Sequence, residues 1–193
     1  MSSTYAREDG RKVSVQGSKL KKAVLSGGCK MTSKKSLRIE YLYLDLATCD
    51  RCIGTDEVLE EVLKVLQPTL ELAGYEVGYQ KIEIDSAQQA EAYQFLSSPT
   101  IRINGLDIMG EILETSCGCC SEISGTDVDC RSYAYKGRIY HIPPKEMLAK
   151  AILSAVFGTR QQCVCETYSL PENLRRFFEG KALKEVRENR MIY

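Results

Sequence analysis

The stretch Leu46-Ala-Thr-Cys-Asp-Arg-Cys-Ile-Gly54 places two cysteines, Cys49 and Cys52, three positions apart. The residues before it, Ser36 to Leu46, alternate between apolar and polar side chains and then become apolar on both faces. This pattern predicts a strand that is covered on both sides of a sheet. The cysteines therefore follow the end of a strand, and their types and spacing alone fit a redox pair, half of a metal site or two ordinary thiols.

A helix is predicted directly after the cysteine pair. Its apolar stripe recurs every four residues, at Val58, Val62, Leu66 and Leu70. Thr55, which is followed by two acidic residues, supplies an N-cap, and Gly74 supplies a stop. Pro68 falls inside the periodic region, so we expect it to kink or divide the helix near Gln67.

The next segments predict a second strand, a short helix and a hairpin. Tyr75 to Asp85 is typical of a strand and Ala87 to Leu96 of a short helix. Thr100 to Ile103 predicts a further strand, and Asn104-Gly105 predicts a tight turn into an antiparallel partner. Two parallel strands joined by a helical crossover and followed by an antiparallel pair predict an α/β sheet of mixed direction.

Periodicity is lost from Glu114 to Cys130, and this segment predicts a long, cysteine-rich loop inserted into the α/β domain. Beyond it, the sequence predicts a hairpin over Arg131 to Ile142 and a helix from Pro144 through Phe157. A last helix is predicted at Pro171 to Phe178, with a charged continuation to Arg190.

The sequence predicts three parts of the chain, and the first differs from the rest in charge. Residues 1–35 carry 9 Lys/Arg and 2 Asp/Glu, which leaves 17 and 24 for the rest of a chain without net charge. We interpret residues 1–35 as a basic, flexible N-terminal arm and residues 36–158 as the α/β domain, with the cysteine-rich loop at 114–130. Residues 159–193 form an extension with a Cys-x-Cys pair and a short helix. Met31 is an alternative start of translation, which would leave residues 1–30 outside the native product.

Several function classes are disfavoured. No apolar run approaches the roughly 18 to 20 residues of a membrane span, and the N-terminus lacks the apolar region of a secretory signal, so we expect a cytoplasmic protein without a membrane partner. The acidic body disfavours nucleic-acid binding. No phosphate-binding or dinucleotide-binding motif is present, and the single histidine, His141, argues against nucleophilic triads and histidine-rich zinc sites. The oligomeric state is not indicated.

A Cys-x-x-Cys at a strand-to-helix junction, followed by Ser98-Pro99-Thr100 before the hairpin strand, resembles the thioredoxin-like superfamily. The resemblance covers about Ser36 to Phe157 and does not include a Trp-Cys-Gly-Pro-Cys signature. More narrowly, the Cys-x-Arg-Cys followed by Gly-Thr is similar to a prokaryotic thioredoxin-like family of unknown function. The resemblance implies a thioredoxin-like mixed sheet flanked by helices, a cis peptide bond before Pro99, and a Pro99 that lies against the redox pair.

The redox hypothesis assigns different roles to the two cysteines. A helix N-terminus favours the thiolate form, so Cys49 is predicted to attack a disulfide and Cys52 to resolve the mixed disulfide. Arg51 would lower a thiol pKa and Asp50 would raise it. A helix that begins only at Thr55 would weaken the contribution of its dipole to Cys49. This hypothesis requires no cofactor, and its partner is a protein or small molecule that contains a disulfide or thiol.

Six further cysteines outside the arm support a second hypothesis. They are Cys117, Cys119, Cys120, Cys130, Cys163 and Cys165. Thiolates suit zinc, an Fe–S cluster, arsenic or mercury, but the spacing Cys-x-Cys-Cys-x9-Cys matches no standard framework. Cys163 and Cys165 fit either a metal site shared with the other cysteines of this set or a shuttle that delivers electrons to Cys49 and Cys52. The leading hypothesis is thus a thiol–disulfide oxidoreductase, and the alternative is a soft-metal or metalloid binding protein on a thioredoxin-like scaffold.

Overall fold

A computed structural model of the protein describes residues 4–6, 12–14, 34–158 and 167–191. Residues 1–33 and 34–193 form two separate units. In the first unit, β1 (Thr4–Ala6) pairs antiparallel with β2 (Lys12–Ser14). Most of the predicted basic arm lies outside the described residues, so the division of the chain into arm, domain and extension stays a prediction.

A four-stranded sheet forms the centre of the second unit. Its strands are β3 (Lys35–Tyr43), β4 (Tyr75–Glu83), β5 (Thr100–Ile103) and β6 (Leu106–Asp107), in the order β4–β3–β5–β6. β3 pairs parallel with β4 and antiparallel with β5. The adjacent side chains Tyr41 and Leu42, which point to opposite faces of β3, are both fully buried. The predicted fold class, an α/β thioredoxin-like mixed sheet flanked by helices, is confirmed.

The crossover from β3 to β4 is a single helix, α1 (Asp50–Leu72), and the prediction that it begins at Thr55 was wrong. The helix begins one turn earlier because Cys49 is its N-cap, and the Cys49 carbonyl accepts the first helical hydrogen bond, from the backbone N–H of Ile53, at 2.9 Å. Pro68 does not divide the helix. The apolar side chains on either side of it, including Leu63 and Leu70, are buried in one core cluster with residues of β3, and this packing stabilises a continuous helix.

The segment predicted as an irregular loop over 114–130 is ordered, and that prediction was wrong. After α2 (Ala87–Ala92), the chain forms β7 (Leu113–Ser116), α3 (Gly118–Ser124), β8 (Asp129–Tyr135) and β9 (Arg138–Tyr140). The three strands form a second antiparallel sheet in the order β7–β8–β9. The elements of this segment are too short to produce a periodic pattern, and α3 ends at Gly125, whose φ of +68° suits glycine.

Two helices complete the second unit, α4 (Lys145–Phe157) and α5 (Glu172–Met191). Both agree with the predicted helices. The α5 residues Leu174, Phe177 and Phe178 are buried in one core cluster with α3 and the cysteines. Gly180 allows α5 to approach closely, because a Cβ there would lie 2.4 Å from the carbonyl oxygen of Ser124. None of the described helices is long and apolar enough to cross a membrane.

Candidate thiol site

Two cysteine motifs that are far apart in the chain meet in the core. The Sγ atoms of Cys49, Cys117 and Cys120 all lie within 4.8 Å of one another. The Sγ of Cys120 is 3.7 Å from that of Cys49 and 3.3 Å from that of Cys130. We call the four residues Cys49, Cys117, Cys120 and Cys130 the sulfur cluster. It joins the N-terminus of α1 to α3 and β8.

The sulfur cluster is closed to solvent. Cys49, Cys120 and Cys130 are each 0% exposed and Cys117 is 3% exposed. The apolar face of α5 belongs to the same core cluster, with Phe177 at 0% exposure. A large external partner therefore has no direct path to the Cys49 sulfur in this conformation.

The loop that carries Cys49 is held by one carboxylate. Oδ1 of Asp45 accepts hydrogen bonds from the backbone N–H groups of Ala47, Thr48 and Cys49, at 3.0, 2.6 and 3.2 Å, and from the Thr48 hydroxyl at 2.9 Å. These bonds fix the turn between β3 and α1 and so place Cys49 at the N-cap. The sequence prediction assigned no role to Asp45, although an Asp four residues before a helix N-cap is a recognisable turn signal.

Arg51 ties this helix end to the second sheet. Its guanidinium donates hydrogen bonds to the carbonyl oxygens of Thr115 and Cys130, both at 3.0 Å, and to that of Ser116. It also donates to the hydroxyl groups of Thr115, at 3.0 Å, and Ser132, at 3.4 Å. Both strand segments that flank the cluster cysteines are thus anchored to α1 by one side chain.

The thiols of the sulfur cluster form hydrogen bonds with one another, and these bonds shift their pKa values. The pKa of Cys49 is lowered well below its usual range because the thiols of Cys117, Cys120 and Cys130 donate hydrogen bonds to its sulfur. Hydrogen bonds from Cys120 and Cys130 lower the pKa of Cys117 to about 7. As the donors, Cys120 and Cys130 have raised pKa values, chiefly through their hydrogen bonds to Cys117. A thiolate on Cys49 is therefore stabilised by its neighbouring thiols.

Cys52 lies beside the sulfur cluster, between Cys49 and Ser98. Its Sγ is 3.5 Å from the hydroxyl oxygen of Ser98, and its backbone carbonyl accepts a 2.6 Å hydrogen bond from the hydroxyl of Tyr41. The hydrogen bond to Cys49, together with burial, raises the pKa of the Cys52 thiol. The Ser98–Pro99 peptide bond is cis, which confirms the conformation that the superfamily resemblance implied. A direct role of Pro99 in binding a substrate stays a prediction.

The remaining candidate residues lie apart from the sulfur cluster. Cys119 is partly exposed, and its Sγ faces Oδ2 of Asp50 at 3.9 Å. His141 contacts the Ser132 hydroxyl through Nδ1 at 3.2 Å and is not part of the cluster. Cys163 and Cys165 lie outside the described residues, so their predicted part in a metal site or shuttle stays a prediction.

A family model described as a domain of unknown function, DUF2703, matches residues 37–152. The chain belongs to the DUF2703 family. No curated protein and no solved structure gives a match. The DUF2703 segment contains every member of the sulfur cluster, together with Cys52 and Cys119, and it ends before α5. The sulfur cluster of this chain therefore lies within the matched residues, whereas the helix that packs over it lies outside them.

The structure brings the two predicted sets of cysteines together. Cys49, from the predicted redox pair, lies with the metal candidates Cys117 and Cys120. Its sulfur also has a hydrogen bond with Cys52, whose Sγ is 3.5 Å from the Ser98 hydroxyl, and the roles assigned to this pair stay predictions. Such a set of buried thiols can hold a thiophilic ion or exchange disulfides among its members.

Proposed function

We propose that this protein binds a soft metal ion or metalloid through the thiolates of Cys49, Cys117 and Cys120, on a scaffold of the thioredoxin-like superfamily. The observation that carries the proposal is the meeting of three buried sulfurs within 4.8 Å of one another. Each comes from a helix N-cap or from the first turn of a helix. The backbone of two rigid elements therefore sets their spacing.

The spacing suits metal–thiolate bonds. Zinc binds thiolates at about 2.3 Å, and a tetrahedral arrangement of such bonds places neighbouring sulfurs about 3.8 Å apart. The Cys49 and Cys120 sulfurs are 3.7 Å apart. Cys130, whose Sγ is 3.3 Å from that of Cys120, is available as a fourth ligand. Little rearrangement is therefore needed for three or four thiolates to converge on one ion.

The ligand types favour a soft ion. The three sulfurs that lie within 4.8 Å of one another, those of Cys49, Cys117 and Cys120, form what we call the close group. This group contains no carboxylate or imidazole. Thiolates select zinc, cadmium, mercury and arsenic over hard ions such as magnesium and calcium, which prefer oxygen. Binding requires deprotonated sulfurs, and the lowered pKa of Cys49 supplies the first of them.

The order of elements supports the superfamily part of the proposal. The Cys-x-x-Cys begins the helix that joins two parallel strands, and β5 then adds antiparallel to the opposite edge of β3. Residues 113–140, which contain β7, α3, β8 and β9, bring a second set of cysteines onto the first. We further propose a cytoplasmic location, where a reducing environment keeps these thiols free to bind an ion.

The test is ion binding by the full-length protein, reduced and kept without oxygen. We expect one Cd²⁺ or one arsenite per chain after desalting, a sulfur-to-metal charge-transfer band with Cd²⁺, and a raised melting temperature. Cys49→Ser should lose the bound ion and the band. Wild-type protein that retains no ion and melts at the same temperature with and without it would overturn the proposal.

A second candidate function is thiol–disulfide exchange, with Cys49 as the attacking thiol and Cys52 as the resolving thiol. It is favoured by the position of Cys49 at the N-cap of a 23-residue helix and by the opposite shifts of the two thiol pKa values. Its partner would be a thiol or disulfide compound small enough to reach a buried sulfur. Cys49→Ser should then abolish reduction of a small disulfide and Cys52→Ser should accumulate a mixed disulfide; full activity in both variants would reject this candidate.

A further inference from the structure

Arg51 is a buried cation without an anionic partner in the described part of the chain. The residue is 9% exposed. Its five hydrogen-bond acceptors are three carbonyl oxygens and two hydroxyl groups, all of them neutral. No carboxylate among the described residues forms an ion pair with it. A buried charge is costly unless an opposite charge lies nearby, so the position of Arg51 points to an anion at this place.

The other buried arginine shows how this fold treats such a charge when no ligand is involved. Arg131 is 0% exposed and forms an ion pair with the carboxylate of Asp107. It also donates to the Gly110 carbonyl at 3.0 Å. Both arginines are thus buried and donate to backbone carbonyl groups, Arg51 to three and Arg131 to that of Gly110. Among the described residues, only Arg131 has a carboxylate partner.

The Arg51 side chain lies next to the sulfur cluster. Two of the carbonyl groups that it contacts belong to Cys130 and to Ser116, the residue before Cys117. Arg51 itself lies in the first turn of α1, between Cys49 and Cys52. A member of the cluster, Cys130, is thus in direct contact with Arg51 through its backbone carbonyl, and the thiolates of the cluster can provide the missing negative charge.

We propose that Arg51 is the counter-charge of an anionic thiolate complex, and that it makes the sulfur cluster selective for a divalent soft cation over arsenite. This inference rests on the proposed function, because it specifies the charge of the ion that the same site binds. Arg51 acts through the charge of the complex and contacts no ligand sulfur, so it is a specificity-determining residue and not a ligand.

The charge of the complex follows from the balanced reactions. With Cys49 as a thiolate and the other two cysteines as thiols, a divalent cation forms a complex of charge −1 and releases two protons, without any change of oxidation state. Arsenious acid, As(OH)₃, combines with the same thiolate, the two thiols and one proton to form a neutral As(SR)₃ group, and it releases three waters. Arg51 neutralises the first product, whereas the second leaves the buried guanidinium without a counter-charge.

The expected selectivity can be estimated from the Coulomb interaction. Opposite unit charges roughly 6 to 8 Å apart, at an effective dielectric constant of about 20, change a binding constant by about 30- to 100-fold. Removal of the charge should therefore lower the ratio of the Cd²⁺ affinity to the arsenite affinity by that factor, because only the cadmium complex is negatively charged.

The test compares Cd²⁺ and arsenite affinities in reduced, full-length wild type, Arg51→Lys and Arg51→Gln. Both variants lose the forked contacts to Thr115, Ser116 and Cys130, but only Arg51→Gln loses the charge. A purely structural role would weaken both ions equally in both variants. We expect the ratio of the two affinities to fall about 30- to 100-fold in Arg51→Gln and to stay within about threefold of wild type in Arg51→Lys.

An unchanged ratio in Arg51→Gln would overturn the inference while leaving the proposed function intact. Wild type that binds neither ion would overturn the proposed function, and the inference with it. If Arg51→Gln does not fold, competition in wild type decides: retention of Cd²⁺ at equimolar arsenite supports the counter-charge, and replacement of Cd²⁺ by arsenite overturns it.

Discussion

Cys120 is the centre of the sulfur cluster, and its replacement gives the sharpest test of ion binding. Its Sγ lies 3.7 Å from that of Cys49 and 3.3 Å from that of Cys130, and it belongs to the close group with Cys117. Cys120→Ser nearly keeps the size of the side chain but replaces a sulfur, which binds soft ions, with a hydroxyl oxygen, which does not. The change therefore removes one of three thiolate ligands and leaves the fold of α3 in place.

The expected loss follows from the number of ligands. Structural zinc sites with four ligands bind with an apparent free energy of about 10 to 16 kcal/mol, or about 2.5 to 4 kcal/mol per ligand. Loss of one ligand should thus weaken binding by about 70-fold or more. The assay is titration of the reduced protein with Cd²⁺ against a chelator of known affinity, together with a melting curve at saturating ion.

Cys119→Ser is the matched control. Cys119 is adjacent in sequence, but its side chain is partly exposed and faces Asp50, outside the close group. We expect this variant to bind Cd²⁺ within about threefold of wild type, since no ligand is lost. Equal affinities in Cys120→Ser and wild type, or an equal loss in both variants, would refute the assignment of ligands.

Three further predictions follow from the packing. Asp107→Ala should destabilise the protein by about 3 kcal/mol in urea denaturation, because it leaves the buried charge of Arg131 unpaired; a change below about 1 kcal/mol would show that the ion pair is not needed. In the reduced, ion-free protein, iodoacetamide should modify Cys119 before any cysteine of the sulfur cluster, as judged by peptide mass spectrometry, since the cluster thiols are buried; modification of Cys49 first would contradict the closed site. Gly180→Ala should cost about 1 to 3 kcal/mol and speed alkylation of Cys120, because the added Cβ would lie 2.4 Å from the Ser124 carbonyl oxygen; unchanged stability and alkylation would show that α5 does not cover the cluster.

Local periodicity predicted most of the scaffold. The segment now seen as β3, the apolar stripe of α1 and the Asn104-Gly105 turn were all predicted, because each depends on side chains within a few residues of one another. The start of α1 was missed because the Cys49 side chain makes no capping hydrogen bond. The turn is held instead by Asp45, one turn ahead, and the usual cap residues do not include that arrangement.

The secondary structure of the cysteine-rich segment could not be predicted from local periodicity. Its strand and helix elements have between four and seven residues, so no repeat of the side-chain pattern can be read along them. They are held by their own pairing and by contacts from elsewhere, including the hydrogen bonds of Arg51 to the carbonyl groups of residues 115, 116 and 130. Non-local contacts of this kind leave no signal in the order of the local residues.

By itself, the sequence determined the mixed α/β scaffold, the place of the Cys-x-x-Cys between a strand and a helix, and a chemistry based on thiols. Only the tertiary structure decided which thiols from distant parts of the chain lie together. Cys49 and Cys120 are 71 residues apart in the chain, yet their sulfurs are 3.7 Å apart. The physical reason is that two helix starts, anchored by Asp45 and Arg51, converge under α5, and no local pattern encodes that convergence.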